Sequence, residues 1–132
     1  MRSSLRVLLA VVALAGPVHA QSTPPAASAP QFIKIDADAL LSSRLVGLGV
    51  RNADGEDIGK IEDIALEGGQ LVGVVLSVGA VLGGDQRYIA VDPSSISIKY
   101  TESENAWKAT LNAKVDQLQA APEFRYEGKW KR

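Results

Sequence analysis

Between Arg44 and Ile98 the chain reads RLVGLGVRNADGEDIGKIEDIALEGGQLVGVVLSVGAVLGGDQRYIAVDPSSISI. Short β-branched runs alternate with glycine-bearing turns about every ten residues, the spacing of a small antiparallel barrel or sandwich. An all-β domain built from short strands is the expectation.

The strands can be placed by parity. Val46, Leu48 and Val50 alternate with Gly47 and Gly49, which predicts a first strand with three branched side chains on its core face. Asn52 to Gly55 is a turn, and Asp57 to Glu67 a second strand. Its Ile58, Ile61, Ile64 and Leu66 do not keep one parity, so a bulge near Gly59-Lys60 is needed to return Ile61 to the inside. The alternative is a helix with a three-residue step, which Gly55, Gly59 and three isoleucines disfavour. Gly68-Gly69 accepts positive φ and predicts a hairpin into Leu71 to Val78, with Val72, Val74, Leu76 and Val78 on one face. Further strands are expected at Tyr88 to Val91, Ser95 to Tyr100 and around Trp107 to Leu111, with Asp92-Pro93 turning between the first two. Asp36 or Asp38 is expected to cap a turn of helix through Leu41. Asn112 is expected to cap a second helix, Ala113 to Ala120, whose Val115 and Leu118 plug one end of the barrel before Pro122 stops it.

The N-terminus has a different character. Arg2 and Arg6 precede an apolar run from Val7 to Val18 that ends at Val18-His19-Ala20. A spanning helix needs roughly 20 apolar residues, and Pro17 interrupts this one, so residues 1–20 are expected to be a secretory signal peptide cleaved before Gln21. Residues 21–32 are rich in Pro, Ser and Ala and read as a flexible linker, residues 33–124 as the domain, and 125–132 as a tail. The expected location is periplasmic or secreted, without stable membrane insertion after cleavage.

Composition then narrows the chemistry. The chain has no cysteine, and its one histidine, His19, lies in the expected signal peptide. A mature chain of that kind has no disulfide, no Cys nucleophile, no Ser-His triad and no His/Cys zinc site. Removing Arg2 and Arg6 leaves 12 basic against 15 acidic residues, a balance of −3. The basic residues are scattered singly outside the C-terminus, which argues against nucleic acid as a partner.

Leu45-Val46-Gly47, Asn52 to Gly55, Gly59-Lys60-Ile61-Glu62-Asp63, the hairpin into Val72 to Val78 and the GAVLGG loop resemble the PRC-barrel family. The segment Leu118 to Phe124 is similar to the ending of exported bacterial members. What the resemblance implies is an all-β fold, a small antiparallel PRC-type barrel of about six strands with a short C-terminal helix. It also implies a docking or scaffolding role without catalysis or cofactor. Members occur as the extramembrane domain of a photosynthetic reaction-centre subunit, as half of a ribosome-maturation factor and as stand-alone proteins. The signal-like N-terminus and the missing second domain set this chain apart from the first two.

Candidate sites follow from residue chemistry. Val81 and Leu82, between the glycines of Gly79 to Gly84, are the first candidates for partner binding, the alternative being that they cap the core. Asp54, Glu56 and Asp57, with Glu62 and Asp63 nearby, offer hard oxygen ligands to calcium, although the stretch lacks the loop length and downstream bidentate Glu of an EF-hand. The bland reading is a solvated turn. Gly55, Gly59, Gly68 and Gly69 are expected to be structural turn glycines. A hydrolase would have to use Asp63 with Asp92, or Ser77 with Lys60, and no motif brings either pair together. Lys129-Trp130-Lys131-Arg132 could rest on an anionic membrane or pack on the barrel. The functional expectation is therefore a non-catalytic interaction or scaffolding module of the bacterial envelope, its partner an unidentified envelope protein or a second copy. An ion- or ligand-responsive envelope protein using the acidic turn is the alternative, and a carboxylate hydrolase is the third.

Overall fold

The computed structural model describes residue 16, residues 28–79 and residues 83–131. The expected signal peptide thus lies outside the described residues apart from Gly16, and so does most of the linker. The chain divides into two compact units, residues 1–34 and 35–132. In the first unit, residues 28–34 have no regular secondary structure. No helix among the described residues is long and apolar enough to cross a membrane.

The second unit is mostly β. Helix α1 (Ser42–Leu45) leads into β1 (Gly49–Arg51), β2 (Asp57–Glu67), β3 (Gln70–Val78), β4 (Arg87–Val91), β5 (Ile96–Thr101) and β6 (Ala106–Leu111), followed by α2 (Val115–Ala120). Single 3₁₀ turns occupy Pro93–Ser95, Glu102–Glu104 and Gly128–Trp130. The six strands form one sheet in the order β4-β3-β2-β1-β6-β5.

That sheet corrects the expectation of a purely antiparallel barrel. β1 and β6 pair in parallel, Val50 with Ala109 and Arg51 with Thr110, while every other neighbouring pair is antiparallel. Following the strand senses through the ladders shows that β4 and β5 run the same way. The corner at Asp92 to Ser95 is therefore a continuation and not a hairpin, and this forces β6 to meet β1 in parallel. Asp92 accepts from the Ser94 backbone N–H at 2.7 Å and holds that corner in a 3₁₀ turn.

The same corner coils the sheet. In a flat six-stranded sheet the two edge strands would lie about 24 Å apart, whereas the link from Val91 to Ile96 spans at most about 18 Å. No ladder among the described residues joins β4 to β5, so the sheet is strongly curled without being closed by hydrogen bonds.

The core lies inside the curl. Val50, Ile58, Ile61, Leu76, Ile89 and Val74 are almost fully buried there, and Leu111, Ile96 and Leu118 complete the cluster. Ile58 and Ile61 are three residues apart, and a register shift opposite Val50/Arg51 leaves Ile58 as the extra residue that lets both point inward. The expected bulge is one residue away from where parity placed it. A second shift, between Ile61 and Asp63, skips Glu62, and a third skips Val72 on β3.

Three local expectations change. Asp36 does hold a turn at 37–39, its side chain accepting from the Asp38 N–H at 3.1 Å, but the helix is Ser42–Leu45 and does not run through Leu41, so Val46 caps it and is half exposed. Val72 leaves the face of Val74, Leu76 and Val78 because the bulge falls on it. α2 starts two residues later than predicted, with Lys114 and not Asn112 at its N-cap, so Leu118 alone plugs the core while Val115 faces outward. The Gly68-Gly69 hairpin forms as expected, with φ of 56° and 80°, the double positive φ of a type I′ turn.

Candidate functional site

β3 is covered on both sides, although only one side faces the core. Val75 and Ser77 point away from Leu76 and are nevertheless buried. Val75 lies on the side that Phe124, Tyr126 and Trp130 of the segment after α2 occupy, and Gln86 reaches over to Ser77. The Phe124 backbone N–H donates to the Tyr88 carbonyl at 2.7 Å, which docks the segment as an isolated bridge on β4. Arg87 anchors the helix before it, its guanidinium donating to the Gln119 carbonyl at 2.7 Å and to the Ala121 carbonyl. These are carbonyls that the end of α2 leaves without helical partners, and a cation there also suits the helix dipole.

Docking at Phe124 gathers aromatic rings. Phe124 and Tyr126 meet edge to face at 5.1 Å, Tyr126 meets Tyr88 at 5.3 Å in the same manner, and Trp130 lies tilted against Phe124 at 5.9 Å. Four of the seven aromatic residues of the chain are thus in one cluster. Pro122 and Gly128, the latter at φ of 59°, shape the path that brings Trp130 back.

Between this cluster and the β2–β3 hairpin lies a groove of about 690 Å³. Its floor and walls are Ile64, Ala65, Leu66, Val72 and Val75 from the hairpin, and Phe124, Tyr126 and Trp130 from the tail. Leu66 and Trp130 are each 63% exposed and Val72 47%, so the groove is open to solvent. Asp63 and Glu67 are its two charged lining residues, and none of the ten is basic. The bulge that skips Val72 makes this possible, since Leu71 and Val72 are both exposed at a point where strict alternation would bury one of them.

The sequence candidates distribute as follows. Val81 and Leu82 lie outside the described residues. The flanks of that loop are fixed: the Gly84 N–H donates to the Gly79 carbonyl at 3.1 Å, and Gly79, at φ of 132°, packs against the backbone of Asp85 and Gln86. The acidic turn is organised by Asn52, which is buried and accepts at Oδ1 from the Asp54 and Glu56 N–H groups at 3.1 and 2.9 Å. The Asn52 amide donates to Glu56 Oε2 at 2.7 Å, and Arg51 Nε to Asp57 Oδ1 at 3.0 Å. Glu56 and Asp57 are thus engaged within the turn. Among the described residues no three His, Cys, Asp or Glu side chains are grouped as metal donors.

Ser77 and Lys60 do come together, as direct partners across β2 and β3. Ser77 Oγ accepts from Gln86 Nε2 at 2.8 Å, and Lys60 Nζ lies 4.0 Å from Glu62. Asp63 lines the groove and accepts from the Ile64 N–H, whereas Asp92 caps the 3₁₀ corner. The Ser94 hydroxyl and N–H hold the Asp92 carboxyl below its usual range. Glu123, hydrogen-bonded to Arg125, raises the guanidinium further above its ordinary value and keeps that pair on the outside of the tail.

Parity does not reveal the groove, since it ends the domain at Phe124. Two sequence signals point to it: the alternation of Phe124 and Tyr126 with charged neighbours, and the out-of-register pair Leu71-Val72.

A family model, the PRC-barrel domain, matches residues 37–105. The matched stretch contains the hairpin side of the groove and ends before the aromatic side. No curated protein matches the chain.

Proposed function

The chain belongs to the PRC-barrel family, and on that footing we propose that it is a non-catalytic interaction module of the bacterial cell envelope that docks a partner in the groove between the β2–β3 hairpin and the aromatic tail. The observation that carries this reading is an open, mainly apolar groove, floored by exposed Leu66 and Val72 and walled by three rings. Exposed apolar clusters rimmed by polar groups mark contact sites, and aromatic residues supply much of the energy at such sites. The envelope assignment is supported by Arg2, Arg6 and the apolar run Val7 to Val18. No catalytic role is assigned, because Ser77 and the carboxylates considered above serve local hydrogen bonds.

The test is crosslinking capture from a native envelope extract with the chain and with its Val72→Asp variant. Val72 is half exposed at a bulge, so the variant is expected to melt close to the parent while losing the captured partner. Capture that survives Val72→Asp would remove the groove from the interaction.

A further inference from the structure

The groove carries a charge signature that its occupant has to match. Asp63 and Glu67 lie at the hairpin side and no basic residue lines it. An acidic occupant would be repelled by the two carboxylates, and a wholly apolar one would lower the polarity around them without adding a counter-charge. The rings add to the same preference. Trp130 is 63% exposed, so its electron-rich ring can be reached from the solvent side of the groove. Cations favour such faces, and the stems of lysine and arginine are themselves apolar enough to lie along Val72 and Leu66.

Resting on the docking role proposed above, the geometry points to an extended polypeptide segment that places a lysine or arginine between apolar side chains as the occupant of this groove. The cation sits over the rings within reach of Asp63 and Glu67, and its apolar neighbours cover Leu66, Val72 and Val75.

The experiment uses the full chain carrying Trp107→Phe, which leaves Trp130 as the one remaining tryptophan of two and makes its fluorescence a reporter of the groove. Three peptides are titrated, acetyl-Leu-Gln-Lys-Gln-Leu-amide and its forms with norleucine or glutamate at the centre, whose alternate side chains share one face when extended. The lysine peptide is expected to bind about three- to tenfold more tightly than the norleucine peptide, with the glutamate peptide weakest. The advantage of lysine is expected to shrink to about twofold or less in Asp63→Asn/Glu67→Gln protein, and likewise in about 0.5 M salt. Equal binding of the three peptides, an advantage that survives the double amide variant, or no saturable binding at all would overturn the cation preference. If Val72→Asp still abolishes envelope capture in that case, docking stands and only the stated occupant is wrong. If capture also ignores Val72→Asp, both fail.

Discussion

Replacing Gly59 by alanine tests the register that places Ile58 and Ile61 in the core together. Gly59 has φ of 150°, a value that L side chains rarely adopt, and an added Cβ would sit inside van der Waals distance of the Ser77 carbonyl oxygen. It would also lie 3.0 Å from Val78 Cγ1 and 3.3 Å from the Ser77 carbonyl carbon. The backbone penalty is about 1–2 kcal/mol. Neither Ser77 nor Val78 can retreat without breaking the ladder to β4 through Tyr88 and Arg87, which adds a further overpacking cost of about 1–2 kcal/mol. The expected loss is about 2–4 kcal/mol, or a fall in Tm of roughly 10–20 °C for a domain of this size. Gly55→Ala is the internal control: its φ is 82° and nothing lies within 4 Å of the added carbon, so only the backbone term applies, about 1 kcal/mol. Both are measured by urea denaturation followed by circular dichroism. If the two variants lose the same stability, the close approach of β2 to Ser77 is not what holds the bulge, and the argument for Gly59 is refuted.

Two further outcomes are expected. Arg87→Gln removes the charged donor from the Gln119 and Ala121 carbonyls, which loosens the tail by about 1 kcal/mol, and native-state hydrogen exchange should find the Phe124 amide about fivefold faster with the core amides unchanged. Asp92 has a folded pKa depressed below its ordinary 3.8 by Ser94, so its carboxylate contributes stability that is present above that value and lost as pH falls through the folded pKa. The stability gap between the parent and Asp92→Asn should therefore be constant near neutral pH and close on acidification below about 3.8, as read by denaturation midpoints across pH.

The parts legible in the sequence are those that local periodicity and turn chemistry control. β2 has the expected bounds, Asp57 to Glu67, and the Gly68-Gly69 turn has its expected conformation, because both depend on neighbours within a few residues. Parity reports which side of a strand is apolar but not which strand lies beside it. The parallel pairing of β1 with β6 depends on a corner that does not reverse the chain, and Asp92-Pro93 looks the same in sequence whether it ends a hairpin or continues a strand. Val72 and Val115 depart from parity for a related reason: one residue of bulge, or a helix start displaced by two, turns an inward position outward. The groove is hard to see in sequence because half of it is a tail with one 3₁₀ turn and no strand of the sheet, held by a backbone bond at Phe124, by Arg87 and by ring contacts.

The place of β6 in the sheet has a bearing on where this domain can be cut. Among the described residues β6 is the last strand to be synthesised, yet it lies between β1 and β5 and is the one strand hydrogen-bonded to β5. A polypeptide ending at residue 105, where the family match ends, would leave β5 with no partner and β1 with one side bare. Two raw edges on a curled sheet invite pairing between molecules. On the ribosome, likewise, the sheet stays incomplete until residue 111 has emerged, so the last strand makes the earlier ones into a domain.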